Sequence, residues 1–419
     1  MNKKIIENAI SLSLLQAVTL FLPLITIPYI AIVLGPSLVG DISFSIATIQ
    51  IIITISDYGF NLTGPREIAV HRDSKEKVLE IWLSVTILKI LLAFFSALIL
   101  LLACIFSKKI NNNIELIFIS SLLVIGNIVY PQWLFQGLEK LKYVSIFQII
   151  SRVIVFLLII TFIKSEEDLY LATLIQSSSL LLGGMFSIPF LFNEFKGVDV
   201  IWPKWKNLYN ILKNGAHTFL TSSAINIYTT SNTFVLGFFV SSENVGYYNI
   251  SEKLIKSIIA LYMPISTAIY PYVSRLAVKN KVTLFQFSMK ILALFIFIGI
   301  IFGVLIFSFS EILINIFFDE KYINLIPLIK TFSILPLIMS ISNVAGMLIL
   351  LPLGMENLVS KILLLVAILN LFVFIPFVYY LNALGAVWAN LIVEFTVALV
   401  LSYAVYLKLY LPIKSRVLN

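Results

Sequence analysis

Residues 246–275 read GYYNISEKLIKSIIALYMPISTAIYPYVSR. The stretch has the apolar content of a membrane helix. It is interrupted by Pro264 and Pro271, ends in Arg275, and carries Glu252, Lys253 and Lys256 inside the apolar run. It also has an echo: residues 40–66 read GDISFSIATIQIIITISDYGFNLTGPR. Gly40 stands to Gly246 as Ser43 to Asn249, Gln50 to Lys256 and Pro65 to Pro271, each pair 206 positions apart. An offset near half of the 419 residues predicts two related halves.

Composition sets the solvent. Hydrophobic residues make up 60% of the chain and charged residues 12%, with mean hydropathy +1.03. A soluble domain is nearer a quarter charged. Apolar runs of roughly 20 residues, the length that crosses a bilayer core, recur along nearly the whole chain. The fold class expected is an all-α polytopic membrane protein of about twelve spans. They fall near 10–34, 41–60, 81–106, 114–135, 143–163, 169–192, 216–239, 246–268, 284–309, 325–351, 359–381 and 384–407. The run from Ile10 to Leu34 is too long for the apolar part of a signal peptide and lacks an A-x-A-like site, so it reads as a retained first span. The single Cys104 excludes an intramolecular disulfide.

The net charge of +8 is distributed as topology signals rather than as a nucleic-acid surface. Nineteen of the 29 Lys and Arg residues fall in loops on one side, among them Lys3, Lys4, Arg66, Arg72, Lys75, Lys140 and Lys204. Five fall on the other side or its helix ends. That asymmetry places both termini in the cytoplasm. The longest connection, 193–215, separates spans six and seven, and its Trp202-Pro203-Lys204-Trp205-Lys206 suits the leaflet surface. The organisation expected is a six-helix lobe over 1–192, a cytoplasmic linker over 193–215 and a second six-helix lobe over 216–419. Six spans per half gives both halves the same orientation, related by a pseudo-twofold along the membrane normal, with substrate expected near the midplane.

Residues three and four apart share a helix face. Span two carries Ser43, Gln50, Thr54, Asp57 and Asn61 on one face; span eight carries Asn249, Lys253 and Lys256 on the corresponding one. Span one shows Gln16, Thr19 and Thr26, and span seven Ser222, Asn226, Thr229 and Thr233. These stripes are expected to line a water-filled cavity; the competing reading is hydrogen-bond glue between helices. A charge within a span is costly and needs a partner or water. Lys89, Arg152, Lys253, Lys256 and Glu394 are such charges. The competing reading for Lys89, near a span end, is snorkelling, and for Glu394 a structural ion pair. Arg152 lies about ten residues into its span, where snorkelling is harder. The bias is cationic. Arginine and lysine both suit phosphate, so the cavity predicts an anionic substrate.

No P-loop, H-E-x-x-H or G-x-S-x-G is present, and there are two histidines. No catalytic residue, metal site or cofactor is expected, and the chain is not read as an enzyme.

Several motifs then carry a family resemblance. Asp57-Tyr58-Gly59-Phe60-Asn61-Leu62-Thr63, Tyr130-Pro131-Gln132-Trp133-Leu134-Phe135-Gln136-Gly137, Thr267-Ala268-Ile269-Tyr270-Pro271 and Ser340-Ile341-Ser342-Asn343 resemble the Wzx-type O-antigen repeat-unit flippases. These belong to the multidrug/oligosaccharidyl-lipid/polysaccharide exporter superfamily. The resemblance implies two six-helix lobes in a bacterial inner membrane. It implies a substrate oligosaccharide on undecaprenyl pyrophosphate, flipped from the cytoplasmic to the periplasmic leaflet by alternating access. It also implies a cationic cavity in which Lys89, Arg152 and Glu394 fit the pattern and Lys253 and Lys256 fit it more loosely. Arg152, Lys253 and Lys256 are then expected at the pyrophosphate. Asp57 and Glu394 have two readings, as a coupling site for a cation or proton, or as charge balance. Expected partners are the lipid-linked oligosaccharide, membrane lipids, and the polymerase and chain-length regulator of the same glycan pathway. Three alternatives stay open: a cation-coupled multidrug exporter, for which the lack of acidic residues in span one is unfavourable; a flippase for another anionic lipid carrier; and a non-transporting scaffold.

Overall fold

The computed structural model describes residues 3–412, with side chains throughout except for most of 3–20 and of 217–229. The order is helical from end to end: Lys3–Asp57 (α1), Phe60–Val70 (α2), Lys75–Phe106 (α3), Lys108–Asn112 (α4), Ile114–Ser120 (α5), Leu122–Val129 (α6) and Gln132–Gly137 (α7). Leu141–Phe162 (α8), Leu169–Ser177 (α9), Ser179–Glu194 (α10), Trp205–Phe239 (α11), Ser242–Ile259 (α12) and Tyr262–Lys279 (α13) follow. Lys281–Phe317 (α14), Leu325–Phe332 (α15), Leu335–Asn343 (α16) and Glu356–Val405 (α17) complete the series, with π-helical turns at Val344–Leu350 and Tyr406–Tyr410. In a bilayer the helix is one of two ways to satisfy every backbone polar group.

Local chemistry sets the breaks. α1 is interrupted at Gly35 (φ 79, ψ 162), a conformation open to glycine, and Pro36 behind it lacks the N–H that would continue the ladder. α17 is interrupted at Asn382 (φ 51). Among the described residues, nine helical segments are long and apolar enough to cross a membrane. Two of them, Phe21–Val70 with 50 residues and Glu356–Tyr410 with 55, contain these breaks and supply two crossings each. Phe94, Phe95 and Leu102 on α3 and Phe297, Val304 and Phe307 on α14 are exposed, as lipid-facing side chains are.

The chain divides into two compact units, Met1–Phe238 and Phe239–Asn419. The connection expected over 193–215 enters α11 at Trp205. In the first unit the core joins Phe60, Ile68, Tyr130, Trp133, Leu134, Phe135 and Leu191. Its helices approach closely: a Cβ on Gly64 would lie 2.5 Å from the Trp133 ring, and one on Gly126 2.5 Å from the Leu181 amide nitrogen. In the second unit the Tyr262 hydroxyl donates to the Pro336 carbonyl at 3.2 Å and the Ser266 hydroxyl to Asn343 Oδ1 at 2.6 Å.

The sequence echo is visible as the same local plan. In the first copy α1 gives way to α2 at Tyr58–Gly59; in the second α12 gives way to α13 at Ala260–Leu261, about one turn earlier in the offset. Pro65 and Pro271 lie inside the second helix of each pair. The first break is left-handed, with Tyr58 at φ 43 and Gly59 at φ 76; the second stays right-handed, with Ala260 at φ −58.

Candidate functional site

Each unit holds a charged cluster on apolar helices. In the first, α1 ends at Asp57, α2 carries Asn61, α3 carries Lys89 and α6 carries Asn127. Lys89 Nζ lies 2.6 Å from Asp57 Oδ1, and the two side chains are 2% and 13% exposed. Lys89 also donates to Asn127 Oδ1 at 3.1 Å. Asp57 Oδ2 accepts from Asn61 Nδ2 at 3.0 Å and from Asn127 Nδ2 at 3.5 Å. The approach at Oδ1 is a charge contact whose angles fall outside hydrogen bonding. Burial in a low dielectric makes each charge expensive alone, and the pair with its amides offsets that cost. Lys89, expected as a cavity cation, is therefore compensated by Asp57.

Arg152 is different. It sits midway along α8, half-buried, with Tyr130 nearby. Tyr130 spends its hydroxyl on the Val144 carbonyl at 2.8 Å. Among the described residues no carboxylate pairs with Arg152.

In the second unit, α12 places Glu252, Lys253 and Lys256 within one turn. Lys256 Nζ lies 2.9 Å from Glu252 Oε1, with side chains 47% and 10% exposed. The buried Tyr248 hydroxyl donates to Glu252 Oε1 at 3.2 Å. Glu394, on α17 packed against α12, adds a second carboxylate attracting Lys256. Lys253, three residues before Lys256, is exposed, is attracted by Glu252, and has no ion pair among the described residues. The four span cations thus divide into two ion-paired ones, Lys89 and Lys256, and two with no ion pair among the described residues, Arg152 and Lys253.

The polar stripes are mixed. Thr54 is buried and donates to the Gln50 carbonyl of its own helix at 2.9 Å; Thr26 does the same to Leu22. Asn249 is buried in the second unit, Gln50 and Asn226 are half-buried, and Asn61 is exposed but engaged with Asp57. The side chains of Gln16, Ser222 and Thr229 lie outside the described residues. Asn127 was not singled out from the sequence; its signal was a lone amide in the apolar run Leu122–Val129. The motif Tyr130–Gly137 builds core rather than lining a site: Trp133, Leu134, Phe135 and Gly137 are all buried.

This fold, with charges held on apolar helices, defines a multi-pass, all-helical membrane protein of the MATE and MurJ transporter fold. A solved structure described as "Inward-facing conformation of a multidrug resistance MATE family transporter of the MOP superfamily" matches 99% of this chain and 99% of that one, with TM-score 0.72 at 14% identity. "Lipid II flippase MurJ, inward closed conformation" matches 96% of this chain and 87% of that one, with TM-score 0.67 at 15% identity. At such identity the likeness is one of fold.

Sequence comparison gives the family. Residues 5–277 match the family described as "Polysaccharide biosynthesis protein", and the chain belongs to it. An Escherichia coli (strain K12) protein is 32% identical over 380 residues, covering 91% of each chain. A Shigella dysenteriae protein is 29% identical over 405 residues, covering 95% of this chain and 99% of the other. Both relatives bear the name "Putative O-antigen transporter".

Proposed function

We propose that this protein moves an oligosaccharide linked to undecaprenyl pyrophosphate, an O-antigen or related repeat unit, from the cytoplasmic to the periplasmic leaflet of a bacterial inner membrane. The observation that carries this reading is the pair of uncompensated cations. Arg152 and Lys253 sit on apolar helices with no ion-pair partner among the described residues, while Lys89 and Lys256 are paired. A charge kept unpaired in a span marks a functional position. A cation so kept favours an anionic cargo, and the guanidinium fork of Arg152 suits a phosphate oxygen pair. The relatives' names agree in substrate class.

Each cation attracts phosphate oxygens within its own unit, Arg152 in the first and Lys253 in the second. The oligosaccharide is solvated by polar side chains such as Gln50, and the polyprenyl tail stays in lipid. Transport proceeds by alternating access, with both termini cytoplasmic. Glu252 and Glu394 hold Lys256, and Asp57 holds Lys89, so these carboxylates balance charge.

The test is surface glycan in a strain dependent on this gene. Arg152→Gln and Lys253→Gln abolish or strongly reduce it at normal protein abundance, and Arg152→Lys restores part of it. Wild-type glycan in both Gln variants removes the proposed role of these cations.

A further inference from the structure

Four apolar helices of the first unit end at one place: α2 stops at Val70, α3 starts at Lys75, α8 starts at Leu141 and α10 stops at Glu194. Between their ends lies a cavity of about 310 Å³, walled by Arg72, Lys75, Glu139, Lys140, Glu194 and Phe195. That is at the lower end of ligand-pocket volumes, about 300–1,000 Å³.

Its charge is unbalanced, with three cations to two carboxylates. Arg72 Nη1 lies 2.8 Å from Glu139 Oε2, and Lys140 is paired with Glu194. Lys75 has no carboxylate among the described residues; its ammonium donates to the backbone carbonyl of Glu194 at 2.9 Å. The turn that builds the wall is strained. Glu139 stands at φ 58, a left-handed conformation costing about 1 kcal/mol or more for a residue with a side chain. Two bonds hold it: the Lys140 amide donates to Phe135 O at 2.8 Å and the Glu139 amide to Gln136 O at 3.0 Å. The turn sets Glu139 outward against Arg72 and places Lys140 over the Phe190 ring, 5.1 Å from its centroid.

A second observation fixes the depth of the cavity. Phe195 stacks on Trp82, centroids 5.7 Å apart, and Asn207 of α11 donates to Glu80 Oε1 at 2.9 Å. The start of α11 is therefore tied to this rim. Trp202 and Trp205 at that start are exposed, as is Val70 at the end of α2. Exposed indoles beside helix ends mark the membrane–water interface. A cavity with excess positive charge, set between helices at that depth, meets lipid headgroups first.

We propose that this cavity binds the phosphodiester headgroup of an anionic membrane lipid. Lys75 supplies the uncompensated charge. Lys140 and Arg72 turn toward the phosphate from their carboxylates, and Phe195 floors the site. The site stands apart from Arg152 and Lys253 and does not depend on the cargo assigned to them.

The experiment is lipid binding to the purified full chain in detergent, read as bound lipid per protein by native mass spectrometry. The lipids are phosphatidylglycerol, phosphatidylcholine and undecaprenyl pyrophosphate, with inorganic phosphate as competitor. Wild type binds phosphatidylglycerol in preference to phosphatidylcholine. Lys75→Gln weakens phosphatidylglycerol binding about fivefold, the share of one interfacial cation. Glu194→Gln, which releases Lys140, strengthens it by a similar factor, a gain that misfolding does not produce. The proposal is overturned by an unchanged affinity in Glu194→Gln, or by inorganic phosphate displacing the lipid at equal concentration. Binding of undecaprenyl pyrophosphate without phosphatidylglycerol also overturns it and makes the cavity a docking point for the cargo.

Discussion

Consider removing the charge of Lys89 as Lys89→Met, and that of Asp57 as Asp57→Asn. At 2.6 Å the gross attraction in an effective dielectric of about 20 is about 6 kcal/mol. Desolvation of two ions removes much of it, and breaking such a pair on one side costs about 3–5 kcal/mol, because a buried charge is left alone. Lys89→Met strands Asp57 with the amides of Asn61 and Asn127; Asp57→Asn strands Lys89 at 2% exposure with Asn127. Each single variant is expected to lose about 3–5 kcal/mol, and the double variant to return to within about 1–2 kcal/mol of wild type. The assay is equilibrium unfolding in mixed detergent and dodecyl sulfate micelles, followed by tryptophan fluorescence, as a double-mutant cycle. Additive losses, or single losses below about 1 kcal/mol, refute the reasoning, since exposed pairs behave that way. The same double variant carries a functional readout. If it retains surface glycan, Lys89 serves the first unit's packing; if it is stable but silent, the lysine acts on cargo as well.

Two further outcomes follow from the packing of the second unit. Gly385→Ala places a methyl 1.9 Å from the Phe377 carbonyl oxygen, backbone that cannot swing aside, so it is expected to cost more than about 3 kcal/mol in the same unfolding assay; a near-neutral result contradicts the chain reversal at Asn382. Glu252→Gln removes the carboxylate paired with Lys256 and the charged acceptor of Tyr248. It is expected to destabilise the protein by about 1–3 kcal/mol, while Glu252→Asp retains part of that loss, and equal stability of both variants with wild type argues against the pair.

The two buried pairings differ in how readable they were. Glu252 and Lys256 are four residues apart on one helix, and helix geometry alone brings them together. Asp57 and Lys89 are on different helices, and nothing in their spacing announces the contact. It exists because α1, α3 and α6 converge, with Asn127 completing it. The polar stripes were legible as periodicity, but a threonine such as Thr54 satisfies itself on its own helix carbonyl, so periodicity overstated how much of each stripe is free to meet water. The motif from Tyr130 to Gly137 was legible as a family mark, yet its side chains fill the first unit's core.

The sequence by itself determined the membrane class, the series of apolar spans with the gap between residues 34 and 41, and the echo between halves. These follow from local terms: apolar length against bilayer thickness, backbone hydrogen bonds that must close within a helix, and the residues that cannot continue one. The break at Tyr58–Gly59, inside the expected second span, came from the structure. Tertiary structure decided which span charges are compensated, because a Coulomb term depends on distance in space rather than along the chain. That decision separates Lys89 and Lys256, which are ion-paired, from Arg152 and Lys253, a division that depth along the span alone did not give.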